Sequence, residues 1–364
     1  MGEYQTEALK NMAIEVEGYA DDIESGLGVE TNIMHHYKHV IIAGMGASAI
    51  GGAVYRDSMY YQSAVEVDIA KTMALPECAD DDTLFVACSY SGNTFETIEL
   101  YNKAMAAGLD TVVVTYGGEL EKLANENNNI LLKIGGDKIQ PRSAIGWFIG
   151  IVGGIIEDAG GPGIRYQLRR MLPWLRASQK HMDAKDSYTH WIADEITKEC
   201  CDIGTRIPVV YGTPDLEAIA VRLKNQLNEN SKLIAFSGVM PEFNHNEIVG
   251  WYEDPHRNIF LPIILRDYMD KDICKLVDST VDVMKRKGLS PIVVDIKGDT
   301  LLERMVYAIM FGDHLSFYVA VNKNVDPLNV DPITDIKRTI KDRLERRSPV
   351  AQYQQGNSRH SFSN

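Results

Sequence analysis

Three hydroxyl side chains, those of Ser89, Ser91 and Thr94, cluster where a strand is predicted to give way to a helix. The apolar residues 84–87 precede this cluster, and the helix-like residues 95–100 follow it. A helix N-terminus presents unpaired backbone N–H groups and a partial positive charge, so it attracts an anion. Any one of these residues alone would be an ordinary Ser/Thr helix cap. Together at one strand-to-helix junction, they favour a site that binds phosphate.

The loop Gly44-Met45-Gly46-Ala47-Ser48 has the same kind of position, directly after a short buried strand predicted at residues 39–43. Its glycines permit a tight turn and a close backbone approach, and Ser48 adds a hydroxyl donor. The dinucleotide-binding pattern G-x-G-x-x-G fails because Ala49 stands at the position of the third glycine. A P-loop fails as well, because no Gly-Lys-Ser/Thr follows. Taken with the hydroxyl cluster, the loop is predicted to bind a ligand.

Arg142 stands beside Pro141 at a predicted helix start that follows a glycine-rich loop. Proline is ordinary in a first helical turn, and an arginine next to it is usually solvated. Arg142 is nevertheless the only strong cation that we place near the carboxyl edge of the first predicted sheet. Its guanidinium is suited to covering a sugar or a phosphate.

Four polar residues in a row, Asn244-His245-Asn246-Glu247, precede an apolar segment. One interpretation is a capped helix start, with Asn244 as the cap and Glu247 three residues later as its capping-box partner. The other is a carboxylate base at a domain edge, oriented by the neighbouring amides. The spacing alone leaves both interpretations open.

The composition excludes several classes of protein. The 364 residues carry a net charge of −14 and are 45% hydrophobic, which suffices for two cored domains but not for the basic face that nucleic acid requires. The five cysteines are odd in number and lack metal-ligand spacing, so we expect a reduced, cytoplasmic compartment and neither a metal nor a redox cofactor. The sequence shows no signal-type apolar core and no membrane-spanning run, so no membrane partner is expected.

Short apolar runs alternate with helical segments, a pattern typical of parallel sheets covered on both faces. We predict an α/β fold of two doubly wound, flavodoxin-like domains with mostly parallel sheets, at residues 1–160 and 161–345. Residues 346–364 are polar and predicted to be a disordered tail, and residues 4–27 are predicted to form one amphipathic helix. The predicted strands are residues 39–43, 65–68, 84–87, 111–115, 130–134, 207–212, 233–236, 258–265 and 290–295.

The motifs described above resemble, in type and order, those of the sugar isomerase (SIS) proteins, and in particular the bifunctional phosphoglucose/phosphomannose isomerases. The matching segments are residues 44–52, 89–94, 141–146 and 244–247, followed by Gly312-Asp313 with Val325-Asp326-Pro327. The resemblance covers about residues 35–345. It implies two SIS-like domains, a phosphorylated hexose as substrate, and a cytoplasmic homodimer that works in glycolysis and gluconeogenesis.

Matching positions imply roles for individual residues. The implied substrate-binding residues are Gly46, Ala47, Ser48, Ser89, Ser91, Thr94 and Arg142, and the implied catalytic residues are Glu247, His256, Lys337 and Arg142. Glu247 is the implied base, and Arg142 is placed over the reacting carbons. The chain departs from the family at Ala47, where glycine is usual. It also lacks an obvious ring-opening histidine, for which His256, Lys271 and His314 are the alternatives.

The implied reaction moves a proton between adjacent carbons through an enediol, which needs one base, a proton carrier for ring opening and positive potential near the enediolate. Glucose and mannose phosphates differ only at the carbon that loses its proton, so one enediol leads from both to fructose 6-phosphate. Two alternatives stay open: a non-catalytic phosphosugar-binding regulator, and an amino-sugar phosphate isomerase.

Overall fold

Strands and helices alternate through the first half of the chain, as the apolar pattern predicts. The computed structural model describes residues 4–60, 63–202 and 205–346. The elements of the first half are α1 (Glu7–Glu17), α2 (Tyr19–Leu27), β1 (His39–Ala43), α3 (Ala47–Met59), β2 (Glu66–Ala70), β3 (Thr83–Ser89), α4 (Phe95–Ala106), β4 (Asp110–Thr115), α5 (Gly118–Glu126) and β5 (Ile130–Lys133).

The second half begins with helices and then returns to the same alternation. Its regular helices and strands are α6 (Ile145–Asp158), α7 (Ile164–Met182), α8 (Tyr188–Thr197), β6 (Ile207–Gly212), α9 (Glu217–Glu229), β7 (Phe236–Val239), α10 (Glu247–Glu253), β8 (Phe260–Asp267), α11 (Lys271–Arg286), β9 (Ile292–Ile296), α12 (Leu301–Asn322) and α13 (Asp331–Arg346). Short 3-10 turns occupy Pro141–Ala144, Pro214–Leu216, Glu242–His245 and Arg257–Ile259, and a π-helical turn occupies Lys198–Asp202.

The strands form two sheets, and within each sheet every pair of neighbouring strands is parallel. The first has the order β2-β1-β3-β4-β5 and the second the order β7-β6-β8-β9. In the first sheet all residues of β3 are buried, which explains the continuous apolar run in its sequence. The order of the first sheet is the flavodoxin-like one, so the predicted α/β class with mostly parallel sheets is confirmed.

The described residues up to Pro327 form one compact unit that contains both sheets, and those from Leu328 onward form a second unit that contains α13. The predicted division at residues 160 and 161 falls in the connection between α6 and α7 and stays a prediction. The predicted disordered tail lies outside the described residues, apart from the last residue of α13. Within the described ranges, no helix combines the length and the apolar character needed to cross a membrane.

Two predicted elements are wrong in their bounds. The single helix predicted over residues 4–27 is two helices, α1 and α2, which meet at Gly18, a residue that disfavours a helix interior. The strand predicted at residues 233–236 lies later, at β7. Leu233 instead donates its N–H to Leu227 O at the end of α9, and Ile234 is 68% exposed. Because β7 is a half-exposed edge strand, its sequence lacks a strong apolar signal.

Three glycines allow α2 and α6 to pack with their backbones close together. A Cβ at Gly146 would lie 2.7 Å from the Tyr19 carbonyl oxygen, and one at Gly26 would lie 2.8 Å from the Trp147 carbonyl oxygen. A Cβ at Gly150 would lie 2.6 Å from the Ile23 carbonyl oxygen. No side chain larger than hydrogen fits at these positions, so α2 is held directly against α6, the helix that follows Arg142.

Candidate active site

The order of strands in the first sheet reverses between β1 and β3, at its centre. From β1 the chain crosses to β2 on one side, and from β3 it crosses to β4 on the other. The strands β1 and β3 are neighbours in register, with Ala43 opposite Ala87, so the loops after them lie side by side at the carboxyl edge. Ligands of open α/β sheets bind in the crevice at this switch point. The two loops singled out by the sequence are therefore brought together by the topology.

In the loop after β3, Ser89 Oγ and Thr94 Oγ1 are 2.9 Å apart and hydrogen-bonded. Thr94 is the N-cap residue of α4, but its side chain makes no capping hydrogen bond. The interpretation of Thr94 as an ordinary side-chain cap is therefore wrong, since its hydroxyl bonds to Ser89 instead. Ser91 Oγ accepts the N–H of Asn93 at 3.3 Å. All three hydroxyls lie at the amino end of one helix.

Gly92 allows this loop to pack against the loop after β4. Its φ is 64°, and a Cβ there would lie 1.7 Å from the carbonyl oxygen of Gly117. The Gly92 carbonyl oxygen accepts the N–H of Leu120 at 3.0 Å. Both the left-handed conformation and the close contact require glycine at this position.

The loop after β1 starts α3 without a side-chain cap. Its N-cap, Gly46, has φ of 57°, and Ala47 and Ser48 form the first turn of the helix. A Cβ at Gly44 would lie 3.0 Å from the Cys88 carbonyl oxygen on the neighbouring strand and 2.9 Å from Ser48 Cβ. The first glycine thus permits the two loops to approach each other. The first turn of α3 contains no acidic residue that would repel an anion.

Glu247 is the first residue of α10, in the half of the chain that forms the second sheet. Its Oε2 accepts the Tyr211 hydroxyl at 2.7 Å, and that same hydroxyl accepts the Trp251 Nε1–H at 3.2 Å. Burial, followed by the bond to Glu247, raises the pKa of Tyr211, so the phenol stays protonated and donates. A Cβ at Gly238 would lie 3.5 Å from Glu247 Oε1, so glycine keeps the space beside the second carboxylate oxygen open.

The predicted capping box before α10 is wrong. The cap is Asn246, whose Oδ1 accepts the N–H of Glu247 at 2.6 Å. Asn244 lies in the preceding 3-10 turn, and its Oδ1 accepts the hydroxyl of Thr280 at 2.8 Å. The Glu247 side chain therefore has no capping task, and it is exposed at the surface of the chain.

Arg142 is buried, and its guanidinium is held by the neighbouring Gln140 and by residues from the other half of the chain. Nε donates to Asn230 Oδ1 at 2.8 Å, and Nη1 donates to Gln140 Oε1 at 2.6 Å and to Glu229 Oε2 at 3.3 Å. Nη2 donates to the carbonyl oxygen of Pro327 at 2.7 Å. Four of the five guanidinium N–H groups thus donate within this network. Burial lowers the pKa of Arg142, whereas the nearest carboxylate, Glu229, opposes that shift.

A second buried arginine lies directly behind the first. Arg222 forms an ion pair with Asp313, with Nη2 2.5 Å from Oδ2, and its Nη2 also donates to the Arg142 carbonyl oxygen at 3.2 Å. The Gln226 amide donates to Asp313 at 2.9 Å. The late sequence motifs containing Asp313 and Pro327 therefore support the Arg142 turn.

The remaining residues named for catalysis or ring opening lie on other parts of the fold. His256 lies beyond the opposite end of α10, with its ring 79% exposed and Nδ1 3.0 Å from Asp254 Oδ1. The alternative residue His314 is buried within α12 and bonds through Nδ1 to the Met310 carbonyl oxygen at 2.8 Å. Lys337 lies on α13 in the second unit.

A cavity of about 640 Å³ lies elsewhere, beside the carboxyl ends of β8 and β9. Its lining comprises Arg170, Met171, Trp174, Tyr268, Asp295, Lys297, Gly298, Asp299 and Glu303. None of the residues singled out for substrate binding lines it, and its three carboxylates outnumber its two cations, Arg170 and Lys297. The hydroxyl-lined crevice of the first sheet is therefore the better candidate for an anionic ligand.

Comparison with known proteins agrees with this geometry. Residues 193–340 match the family of the bacterial phospho-glucose isomerase C-terminal SIS domain. The bifunctional phosphoglucose/phosphomannose isomerase of Thermoplasma acidophilum is 33% identical over 312 residues, which are 84% of this chain and 90% of the relative. This chain belongs to the bifunctional phosphoglucose/phosphomannose isomerase family.

Another member of the family, from Aquifex aeolicus, is 30% identical over 84% of this chain and 91% of its own length. Among solved structures, a hypothetical protein from Thermus thermophilus superposes with a TM-score of 0.73 at 14% identity, covering 93% of this chain and 91% of the other. The C-terminal domain of glucosamine-fructose-6-phosphate aminotransferase from Francisella tularensis reaches 0.69 at 15% identity, over 88% and 97%. At these identities the structural likeness establishes the fold only.

Sequence reasoning missed the residues that hold the proposed base and cation of this family member. Tyr211 falls within the strand predicted at residues 207–212, and a tyrosine near a strand's carboxyl end is well placed to reach a neighbouring loop. Asn230 and Glu229, which hold Arg142, follow one another at the end of α9. Their separation from Arg142 by more than 80 residues leaves no local signal.

Proposed function

We propose that this protein interconverts glucose 6-phosphate and mannose 6-phosphate with fructose 6-phosphate through an enediol. The observation that carries the proposal is the pairing of Ser89 with Thr94 at the amino end of α4, beside the uncapped α3. Hydroxyls and helix N–H groups at a switch point suit a phosphate monoester. That the phosphate belongs to a hexose is inferred from membership of the family.

The phosphate is proposed to bind between the two loops, with Gly46, Ala47 and Ser48 on one side and Ser89, Ser91 and Thr94 on the other. This anchor is remote from the carbons that react, so its binding energy positions the substrate without changing during the reaction. The Ser89 and Thr94 hydroxyls are hydrogen-bonded to each other, and each can rotate to donate to a phosphate oxygen. The methyl group of Ala47 is buried and leaves the first helical turn intact.

Glu247 is the proposed base. Its Oε2 is occupied by the Tyr211 hydroxyl, which leaves Oε1, beside Gly238, to take the proton from the sugar carbon and return it to the neighbouring one. A base must be held in one orientation to act on two adjacent carbons, and the Tyr211 bond supplies that constraint.

Arg142 is proposed to stabilise the enediolate. A guanidinium held by four hydrogen bonds in a buried setting is a preorganised positive charge, which needs no rearrangement when negative charge develops on the sugar. Lys337 is proposed as a further catalytic cation, by its family position.

His256 is the proposed proton carrier for ring opening. Asp254 bonds to Nδ1 of its ring, which fixes the tautomer and directs Nε2 outward. We also propose a homodimer in the cytoplasm as the working form. Size-exclusion chromatography with light scattering checks the dimer, and a variant with His256→Ala checks ring opening. If His256 opens the ring, this variant loses activity on cyclic hexose phosphate and keeps it on the open-chain form.

An amino-sugar phosphate is the second candidate substrate. The D-glucosamine-6-phosphate 4-epimerase of Sulfolobus acidocaldarius is 29% identical over 266 residues, which are 72% of this chain and 79% of that protein. The same phosphate cradle would serve either sugar. A purely regulatory protein would have no need of a buried tyrosine that orients a carboxylate, so the Tyr211–Glu247 pair favours an enzyme.

The deciding experiment is a coupled assay for fructose 6-phosphate formation from glucose 6-phosphate and from mannose 6-phosphate. Conversion of glucosamine 6-phosphate is followed separately by chromatography of the sugar phosphates, because isomerisation or epimerisation of an amino sugar keeps the nitrogen and gives no fructose 6-phosphate. We expect turnover of both hexose phosphates. Glu247→Gln is expected to lose at least about 1,000-fold in kcat while binding fructose 6-phosphate normally. The matched control is Glu253→Gln, an exposed glutamate at the other end of α10. Full activity of Glu247→Gln would exclude Glu247 as the base.

A further inference from the structure

Residues 135–143, here called the Arg142 segment, connect β5 to α6 and carry Arg142 near their end. At its other end the segment is tied to the phosphate-binding loop. The Tyr90 hydroxyl accepts the N–H of Lys138 at 2.8 Å and lies 3.3 Å from the Gly136 carbonyl oxygen. Tyr90 is the residue next to Ser89, so this segment joins the hydroxyl cradle to the guanidinium.

Glu15 of α1 holds the middle of the Arg142 segment. Its side chain is buried, with the residue 6% exposed, and it lies in a helix that precedes the first sheet. Oε1 accepts the backbone N–H of Ile139 and, at 3.4 Å, that of Gln140. Oε2 accepts the hydroxyl of Ser143 at 2.6 Å. Three donors from one short segment thus converge on a single carboxylate.

Gln140 links this carboxylate to the guanidinium directly. Its backbone N–H points to Glu15, and its side-chain Oε1 accepts Arg142 Nη1 at 2.6 Å. Ser143, on the other side of Arg142, bonds to the second oxygen of the same carboxylate. Arg142 therefore lies between two residues, Gln140 and Ser143, that both bond to Glu15. A shift of the Glu15 carboxylate would move both of them.

A carboxylate is a costly way to pack a helix. Burying an ionised group is unfavourable unless hydrogen bonds replace its water, and an apolar residue would fill the same space at lower cost. Only an acceptor with two oxygens can serve backbone N–H groups and a hydroxyl at once. The buried Glu15 carboxylate is therefore better explained by its orienting the Arg142 segment than by a contribution to the stability of the fold.

We propose that Glu15 is a positioning residue for isomerisation, which sets the Arg142 guanidinium against the developing enediolate through Gln140 and Ser143. The inference rests on the proposed function, because it assumes that Arg142 stabilises the enediolate. Glu15 does not touch the substrate. Its effect is on the transition state, since a misplaced guanidinium binds the ground-state phosphate no differently.

The test compares Glu15→Gln with Glu7→Gln, which removes the same charge from an exposed position of the same helix. Glutamine has the shape of glutamate, but it offers one acceptor oxygen and turns an NH2 group towards the donors. We expect Glu15→Gln to lose about 10- to 100-fold in kcat with KM within about twofold of wild type. Glu7→Gln is expected to keep wild-type values of both.

A second readout separates positioning from folding. A phosphorylated aldonic acid, whose carboxylate imitates the enediolate, should bind Glu15→Gln more weakly by about the factor lost in kcat. Inorganic phosphate should compete equally well in both proteins. Ser143→Ala removes one of the three bonds without burying a new donor, and it should give a smaller loss of the same kind. The double variant should lose no more than Glu15→Gln alone, because both changes act on one unit.

The outcomes are distinguishable. A folded Glu15→Gln protein with wild-type kcat, or with its loss confined to KM, overturns the inference and leaves the proposed function standing. If Glu15→Gln does not fold, Ser143→Ala decides by the same criteria. A wild-type protein without isomerase activity overturns the proposed function first, and the inference with it.

Discussion

The Tyr211 hydroxyl donates to Oε2 of Glu247 at 2.7 Å across 36 residues of sequence. The bond connects the end of β6 to the first residue of α10, and the Trp251 indole N–H donates to the same hydroxyl. It restrains one oxygen of an otherwise exposed carboxylate and leaves the other open beside Gly238. The side chain of the proposed base is therefore oriented by the Tyr211 hydroxyl from β6.

This bond predicts the effect of Tyr211→Phe. The ring keeps its edge-on contact with Phe243, at 4.9 Å between centroids, while the bond to the carboxylate is lost. We expect kcat to fall about 30-fold, in line with the loss of a hydrogen bond to a charged group worth about 2 kcal/mol. Trp251→Phe is the control, because it leaves the Tyr211–Glu247 bond in place. Equal kcat in Tyr211→Phe and wild type would contradict the orienting role.

Gly92 offers a test of the loop after β3, where the phosphate is proposed to bind. Gly92→Ala places a Cβ 1.7 Å from the Gly117 carbonyl oxygen in a left-handed conformation, so the loops after β3 and β4 must separate. We expect the free energy of unfolding to fall by about 3 kcal/mol or more and the affinity for phosphate to fall with it.

Gly108→Ala is the matched control for this substitution. Gly108 also has a positive φ, of 75°, but nothing lies within 4 Å of a Cβ there. Its cost should be that of the conformation alone, about 1 kcal/mol. Urea denaturation of both variants separates the two contributions. Similar losses in both would show that the contact with Gly117 has no influence.

The buried Arg222–Asp313 pair predicts an asymmetry between single and double substitutions. The side chains are 4% and 9% exposed, so either charge is costly without the other. Asp313→Leu should lower the free energy of unfolding by about 3–5 kcal/mol, because Arg222 would remain buried and unpaired. Arg222→Leu combined with Asp313→Leu should recover much of that loss. The measurement is chemical denaturation, and a double variant as unstable as the sum of the singles would contradict the expectation.

Asp22 predicts how stability changes with pH. Burial raises the pKa of Asp22 to about 6, although Lys138 Nζ lies 2.7 Å from Oδ2 and the indole of Trp147 favours the charged form. Because the folded state holds this proton more tightly than the unfolded chain does, Asp22 contributes stability at low pH, and that contribution is lost as the pH rises through about 6.

The comparison of wild type with Asp22→Asn isolates this contribution. Between about pH 7 and about pH 4, the free energy of unfolding of wild type should rise by about 2 kcal/mol relative to Asp22→Asn. The difference between the two proteins removes the titration of other carboxylates. Parallel stability curves for the two proteins would show that Asp22 titrates alike in the folded and unfolded states.

Local sequence was enough to predict the α/β class and to place two hydroxyl-bearing loops at the ends of β1 and β3, whereas their binding of phosphate stays a prediction. Buried parallel strands such as β1 and β3 are continuous apolar runs, and the hydroxyls of Ser89 and Thr94 follow one of them directly. These features depend on neighbours in the sequence, which a reader of the chain can see. Where local signals were weak, as at Gly18 and at the half-exposed β7, the predicted bounds were wrong.

Only the tertiary structure decided which groups hold the candidate site together. Glu15 reaches Ser143 across 128 residues, and Arg142 reaches Pro327 across 185. Such contacts depend on how the helices and sheets pack, since a buried polar group must find a partner wherever the chain brings one. The sequence alone determined which residue types stand at the ends of its strands. Packing determined which of those side chains are held in one orientation, and which distant residues hold them.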